Sequence, residues 1–228
     1  MLQIPVRHIL TFIYVTCWSI APYLPIIQGR LSGVSYDFLI LNEIGYICVF
    51  VSMFLQYKYM TGINKFDLLY SINGLMLNSL NVYKKMYLKN DAKVKELPHN
   101  IYNETTGSGV GIPKLSFVSK KIVTVTLSTI CVAVVLTGLK QITLLHLTHY
   151  LSVIKMLMTL IKNFPQLKEN GKQDMKKNFP IWQTRLDITG SLALILYTYL
   201  IDINFTKISI AAVTFFFQTV FLYQYWRS

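Results

Sequence analysis

Charged and amide side chains interrupt several apolar stretches of this chain. Asp37 opens one stretch, and Asp187 is the only carboxylate in another, which begins near Ile181. Lys155 and Lys162 are seven residues apart in a third stretch, so a helix places them on one face, two turns apart. Ionisable groups inside a membrane are costly, and a functional site is their usual explanation. A carboxylate together with a cation suits a zwitterionic amino acid, whose ammonium and carboxylate groups each need a partner.

The residues of covalent or metal chemistry are not gathered into a site. His146 and His149 share a helical face, but no nearby carboxylate or cysteine completes a metal site. Cys17, Cys48 and Cys131 lie inside apolar stretches at a spacing that matches no metal motif. We therefore expect neither an enzyme nor a bound metal or cofactor.

The composition predicts an all-α integral membrane protein. Of 228 residues, 53% are hydrophobic and 14% are charged, well below the roughly 25% of a soluble domain. Seven apolar spans approach the about 20 residues that a helix needs to cross a bilayer. They are residues 9–27, 37–57, 68–83, 122–139, 142–161, 181–201 and 208–226.

The net charge of +12 does not require a nucleic-acid partner, because the positions of the basic residues fit a membrane protein. Lys and Arg concentrate on one side of the expected membrane, as they do on the cytosolic side of membrane proteins. With the N-terminus outside the cytosol, the few on the opposite side are Arg7, Lys58, Lys65, Lys140 and Lys207. The pattern predicts a non-cytosolic N-terminus, a cytosolic C-terminus and a cytosolic basic loop at 85–121.

Residues 155–191 resemble the second PQ-loop motif of the cystinosin branch of the PQ-loop transporters. That motif has a Pro-Gln pair at a helix end, a polar loop, and then an L-D-x-T-G-G element. Ser191 replaces the second glycine. The matching residues are Phe164, Pro165, Gln166, Asn170 and 186–190.

The stretch GVSYDFLILNEIGY, residues 33–46, is similar to the first motif of the same branch. Upstream of it, Pro25 is followed by isoleucine instead of glutamine. Glu43 is an additional carboxylate, roughly 9 Å along a helix from Asp37. It is either a second proton site or, as we prefer, a residue without a role in transport that faces a polar cavity or pairs with a lysine. The matching residues are Gly33, Ser35, Asp37, Phe38, Leu41, Asn42 and Gly45.

The resemblance implies one seven-helix membrane domain over residues 1–228, with two parallel three-helix repeats joined by a connecting helix. The first repeat covers 9–84, the basic loop 85–121, the connecting helix 122–139 and the second repeat 142–226.

The resemblance also implies proton-coupled export of L-cystine, or a related amino acid, from an acidic lumen to the cytosol. The membrane is vacuolar, lysosomal or endosomal, and the partners are lipid, protons and the small-molecule substrate. The proton-coupling residues are Asp187 and Asp37, and Gln218 stands where cystine carriers have another aspartate. The resemblance assigns Lys162, Asn170 and Asp187 to the substrate, and we add Asn42 from the first motif and Gln183, which is four residues from Asp187 and so on the same helical face. The predicted hinge residues are Pro25, Pro165 and Gln166.

Other interpretations remain open at this point. Lys162 alternatively extends to the membrane surface, and Asp187 alternatively pairs with Arg185 or a lysine. For the protein as a whole, the alternatives are a carrier of basic amino acids or sugar and a non-transporting trafficking or retrieval receptor.

Overall fold

The computed structural model describes residues 3–59, 65–95, 115–201 and 205–228, and all the regular secondary structure in these ranges is helical. The helices are α1 (Gln3–Ile20), α2 (Leu24–Ile27), α3 (Tyr36–Tyr59), α4 (Lys65–Lys95), α5 (Phe117–Gly138), α6 (Leu144–Ile161), α7 (Asn163–Asn170), α8 (Met175–Asn178), α9 (Ile181–Leu200) and α10 (Phe205–Arg227). The expectation of an all-helical protein is confirmed for these residues.

Five helical stretches in the described ranges are long and apolar enough to cross a membrane. The expected spans at 68–83 and 181–201 lie within α4 and α9, which are long helices outside that set. Amide and charged side chains lower the hydropathy of both helices, and in α9 these are Gln183, Arg185 and Asp187. The five stretches are Val6–Ile27, Tyr36–Tyr59, Phe117–Gly138, Leu144–Asn170 and Phe205–Arg227.

The segment expected as a basic loop is partly helical. Helix α4 continues to Lys95 and α5 begins at Phe117, where the Ser116 hydroxyl caps the helix by accepting from the Ser119 amide at 3.2 Å. Residues 96–114 lie outside the described residues. The first part of the expected loop at 85–121 therefore belongs to α4, and its last part belongs to α5.

The helix break near the second Pro-Gln pair lies upstream of the predicted position. Helix α6 ends at Ile161, Lys162 forms a turn, and α7 continues through Pro165 to Asn170. Proline has no amide hydrogen for the carbonyl of residue 161 and its ring crowds that carbonyl, so the helix is interrupted before the proline. Asn170 consequently ends a helix instead of lying in a polar loop. The prolines after α1 have a similar effect, since a 3₁₀ turn and the short α2 follow there.

Six long helices form a closed ring in the described part of the chain. Around the ring, α1 packs on α4, α4 on α3, α3 on α6, α6 on α10, α10 on α9, and α9 on α1. Helix α5 lies outside the ring against α3 and α6. Two motif glycines allow close packing: a Cβ on Gly190 would lie 2.6 Å from the Trp18 indole, and one on Gly45 would lie 3.1 Å from the Lys155 side chain. The ring leaves a polar space at its centre.

Candidate functional site

A cavity opens inside the helix ring and is lined by side chains of α1, α3, α4, α6, α9 and α10. Its empty volume, counted to the open mouth, is about 730 Å³, and the centre of a water molecule reaches about 60 Å³ of it. Four of the predicted binding residues, Asn42, Lys162, Gln183 and Asp187, line this cavity together with Pro25. The two sequence motifs therefore meet at one site.

Asp187 contributes a carboxylate from α9. Its backbone carbonyl accepts from the Ser191 hydroxyl at 2.6 Å and the Trp18 indole at 3.4 Å, which ties α9 to α1. Within the described residues, the ion pairs are Lys177–Asp174 and Lys207–Asp67, so Asp187 has no ion pair there. The alternative prediction, a structural ion pair of Asp187 with Arg185 or a lysine, is therefore wrong for the described residues. The half-buried Asp187 side chain lines the cavity.

Two lysines on α6 and its C-terminal turn supply the positive charge. Lys155 is 6% exposed, and its ammonium group lies 4.0 Å from the centre of the Tyr46 ring. Lys162 donates to the Asn42 side-chain oxygen at 2.7 Å and lies 5.0 Å from the centre of the Phe38 ring. Lys162 therefore points to the cavity wall and does not extend to the membrane surface. The seven-residue spacing did predict that both lysines lie on one face.

An amide network continues from Asn42 to Glu43. The Asn42 amide group donates to the Asn78 side-chain oxygen at 2.8 Å, and Asn78 donates to the Leu39 carbonyl at 3.0 Å. Asn78 also donates to the Glu43 carboxylate, which accepts from the Ser79 hydroxyl as well. The preferred interpretation of Glu43, a direct place in a cavity or a pair with a lysine, therefore needs modification: Asn42 and Asn78 stand between Glu43 and Lys162.

Asp37 and Asn170 lie outside the cavity. Asp37, in the first turn of α3, accepts from the Ser116 amide at 3.1 Å, at the start of α5. Asn170 donates to Gln224 at 3.1 Å and accepts from Gln166 at 2.7 Å. The structure does not bring these two predicted residues to the site that holds Asp187.

Gln166 joins the second motif to the backbone of the first. Its amide group donates to the Gly33 carbonyl at 2.9 Å, and its oxygen accepts from the Ser35 amide at 2.8 Å. Gln173 adds a donation to the same Gly33 carbonyl at 2.8 Å. Gln166 is 2% exposed, so these bonds are shielded from water. The Pro-Gln glutamine thus links the segment before α3 to α7.

Aromatic rings line the end of the cavity that lies toward the N-terminal ends of α4 and α10. Trp18 and Tyr70 have ring centres 5.8 Å apart, and Tyr70 and Tyr46 have ring centres 6.2 Å apart. Farther along, Asp67 accepts from the Tyr14 hydroxyl at 3.1 Å and from Lys207 at 3.2 Å. This end is closed by packed rings and an ion pair.

Tyr46 and Asn78 also line the cavity and were not predicted as site residues, whereas Lys155 and Gln218 were noted in the sequence without being assigned to substrate binding. The one usable signal was the lysine pair on α6. Asn78 could not be distinguished from an asparagine that serves packing alone. Among the described residues, no three His, Cys, Asp or Glu side chains gather as a metal site.

Among the described residues, a ring of long helices, four of them apolar enough to cross a membrane, surrounds a cavity with two lysines and an aspartate that has no ion pair. This arrangement suits a multi-pass membrane protein that binds a polar small molecule. The chain is 28% identical to the cystine transporter of Saccharomyces cerevisiae, over 98% of this chain and 94% of that protein. It is 25% identical to a cystinosin homolog of Dictyostelium discoideum, over 84% of this chain and 66% of that protein. No family model matches the chain. The two relatives confirm the resemblance found in the motifs, because the chain is similar over most of its length to a cystine transporter and to a cystinosin homolog.

Proposed function

We propose that the protein transports L-cystine, or a closely related amino acid, out of an acidic compartment together with protons. The observation that carries the proposal is the cavity with Lys155, Lys162 and Asp187, in a chain similar over nearly its whole length to a cystine transporter.

The charges of the cavity suit a ligand with carboxylates. Cystine carries an amino acid group at each end, hence two ammonium and two carboxylate groups. Lys155 and Lys162 offer two cations along one helix face, and Asp187 and the Asn42 oxygen offer acceptors. A sugar has no carboxylate for two lysines, whose burial would then only be costly. The cavity as it stands has room for a few waters, so cystine entry requires the ring of helices to widen.

Asp187 is the proposed proton carrier. Among the described residues Asp187 has no ion pair, and its carboxylate lines the cavity, so it is placed where both a substrate and a proton from the open side can reach it. It takes up a proton on the acidic side and releases it on the cytosolic side, and substrate occupancy accompanies the protonated form. Asp37 remains a predicted second coupling residue, with the smaller share because it contacts α5 instead of the cavity.

The proposed architecture is the seven-helix arrangement of two parallel triplets and a connector. The closed ring supports it, because α1, α3 and α4 come from the first repeat, while α6, α9 and α10 come from the second. Helix α5, outside the ring, is the connector. The N-terminus is lumenal and the C-terminus cytosolic in a vacuolar, lysosomal or endosomal membrane. A protease site inserted near residue 108 should be cut from the cytosolic side of sealed vesicles, and cutting only from the other side contradicts this orientation.

Pro25 and Pro165 are the proposed hinges. The helical path is interrupted shortly before each proline, and a chain bends more easily at such a point than in an unbroken helix. Pro165→Ala restores the missing backbone donor, so we expect normal membrane insertion and slower transport. Transport at the parent's rate would leave Pro165 with a role in ending α6 alone.

Uptake of radiolabelled cystine by cells that display the protein on their surface tests the function. With an acidic exterior, uptake should exceed that of cells without the protein, fall at neutral pH, and be competed by unlabelled cystine but not by glucose. The surface amount of each variant is measured in parallel. If the cells take up lysine or arginine but not cystine, the protein is a carrier of basic amino acids. If they take up none of these, a non-transporting receptor is favoured.

A further inference from the structure

A continuous chain of hydrogen bonds runs from the cavity to Glu43. Lys162 donates to Asn42 at 2.7 Å, Asn42 donates to Asn78 at 2.8 Å, and Asn78 donates to the Glu43 carboxylate. Asn42 is 8% exposed and Asn78 is 2% exposed, so water competes little for their amides. A lysine that lines the cavity is thus joined to a carboxylate that does not.

The two ends of this chain impose the same direction on both amides. An ionised carboxylate only accepts, so Asn78 must turn its amino group to Glu43 and its oxygen to Asn42. An ammonium group only donates, so Asn42 must turn its oxygen to Lys162 and its amino group to Asn78. The Leu39 carbonyl, which accepts from Asn78 at 3.0 Å, takes the remaining amino hydrogen. Reversal of one amide would place like groups together at both of its neighbours.

We propose that Glu43 is a positioning residue for the substrate cavity. Through Asn78 and Asn42 it fixes the Asn42 oxygen toward the cavity and holds the Lys162 ammonium group on that wall, where it meets a substrate carboxylate. Naming the ligand rests on the proposed function, whereas the placement of Lys162 does not.

Packing does not explain Glu43. A carboxylate within a membrane-capable helix is costly, and the Ile47 side chain one turn further along α3 is 45% exposed, as suits a lipid-facing position. A leucine at 43 would fill the same space without that cost. What leucine lacks is an acceptor-only group, which sets the orientation of Asn78 together with the Leu39 carbonyl. The Ser79 hydroxyl, donating to the same carboxylate, keeps that group in place.

The charge, not the shape, is therefore the functional property of Glu43. Glu43→Gln keeps the size of the side chain but can donate as well as accept, so Asn78 loses one of its two fixed acceptors and only the Leu39 carbonyl and Lys162 still favour the original direction of the two amides. Glu169→Gln is the matched control, because it removes a half-buried glutamate of α7 that is outside the cavity lining.

The first experiment compares cystine uptake kinetics. A hydrogen bond to a charged group corresponds to a change of tenfold or more, and transmission through two amides reduces it, so we expect Glu43→Gln to raise KM by about three- to tenfold. The maximal rate per protein at the surface should stay within about twofold, and Glu169→Gln should match the parent. Adding Asn78→Ala to Glu43→Gln should raise KM no further than Asn78→Ala alone, because the chain is already cut. Independent, additive effects of the two changes would overturn the proposal.

The second experiment needs no substrate, so it separates this proposal from the proposed function. Purified protein is treated with a water-soluble amine-acylating reagent, and modification of Lys162 is followed by peptide mass spectrometry, with exposed Lys177 as the internal reference. Loss of the fixed acceptor releases the amine, and Glu43→Gln should accelerate its modification about threefold or more over the parent. Asn78→Ala, which keeps Glu43, should do the same and serves if Glu43→Gln does not fold. If labelling is accelerated but the parent does not transport cystine, the positioning role of Glu43 is supported and cystine is excluded as the substrate. An unchanged labelling rate in the variant that folds would overturn the positioning role.

Discussion

Gln166 should be worth several kcal/mol to the folded protein through its contacts with the first motif. Gln166→Leu keeps similar volume and removes the three hydrogen bonds, to Gly33, Ser35 and Asn170. The Ser35 amide loses its acceptor in the process. Three bonds at about 1 kcal/mol each give about 3 kcal/mol, and a buried donor left unpaired adds to this total.

The assay is thermal unfolding of the purified protein in detergent. For a chain of this size, about 3 kcal/mol corresponds to a fall of roughly 6–12 °C in the unfolding midpoint. Gln173→Leu is the control, since it removes only one bond to the same Gly33 carbonyl, and a shift of about 2–4 °C is expected. Equal midpoints for the two variants would show that the three contacts of Gln166 are not additive and would refute the reasoning.

The remaining predictions concern the charge and the packing of the cavity. Asp187→Asn should abolish acid-stimulated cystine uptake but retain exchange of substrate at equal pH, because asparagine mimics the protonated carboxyl; the parent's pH dependence in this variant would exclude Asp187 as the coupling group. Asp37→Asn should reduce uptake less, and a loss as complete as that of Asp187→Asn would contradict the difference in their positions. Gly190→Ala should lower the unfolding midpoint by the equivalent of about 1–3 kcal/mol, since its Cβ would lie 2.6 Å from an indole ring. Gly138→Ala, with nothing within 4 Å of its Cβ, is the control, and equal effects of the two would contradict this packing argument.

The sequence was most informative where residue spacing determines a helix face. Lys155 and Lys162, seven residues apart, both reach the cavity, and so do Gln183 and Asp187, four residues apart. Motif matching added Asn42, on a different helix.

The sequence motifs predicted the cavity-lining residues less well than the helix faces did. Residues five apart on an α-helix differ by roughly 140° around the axis, so with Asn42 toward the cavity, Asp37 points elsewhere, and it contacts the start of α5. Asn170 lies four residues after Gln166 and shares its face, which is directed at the first motif. A linear motif thus combined residues that line the cavity with residues that fasten the helices around it.

The position of the helix break required the structure, although its cause is local. A proline affects the carbonyl four residues before it, so the interruption at Lys162 and not at Pro165 follows from covalent geometry. The amide chain to Glu43 depends on the packing of α3 against α4, and no periodicity in either helix predicts which asparagines face each other.

The two proposed repeats contact each other through different residues in equivalent places. In the second repeat, Gln166 binds the backbone just before α3, at Gly33 and Ser35. The first repeat has no glutamine after Pro25, but Arg30 donates to the Phe179 carbonyl at 3.2 Å, just before α9. Each repeat therefore contacts the segment that leads into the second helix of the other.

The hydrogen bonds of Gln166 and Arg30 couple the movements of the two proposed repeats. Separation of the repeats at this end would break the bonds of Gln166 and Arg30 together, because each holds the other repeat's backbone. At the opposite end, separation would instead part Asp67 from Lys207 and Tyr14. The two ends thus resist opening by different chemistry: neutral and singly charged hydrogen bonds at one end and an ion pair at the other. The side chains of Lys207 and Asp67 are only 26% and 15% exposed, so salt weakens this pair less than a surface pair, and opening at either end should depend little on ionic strength.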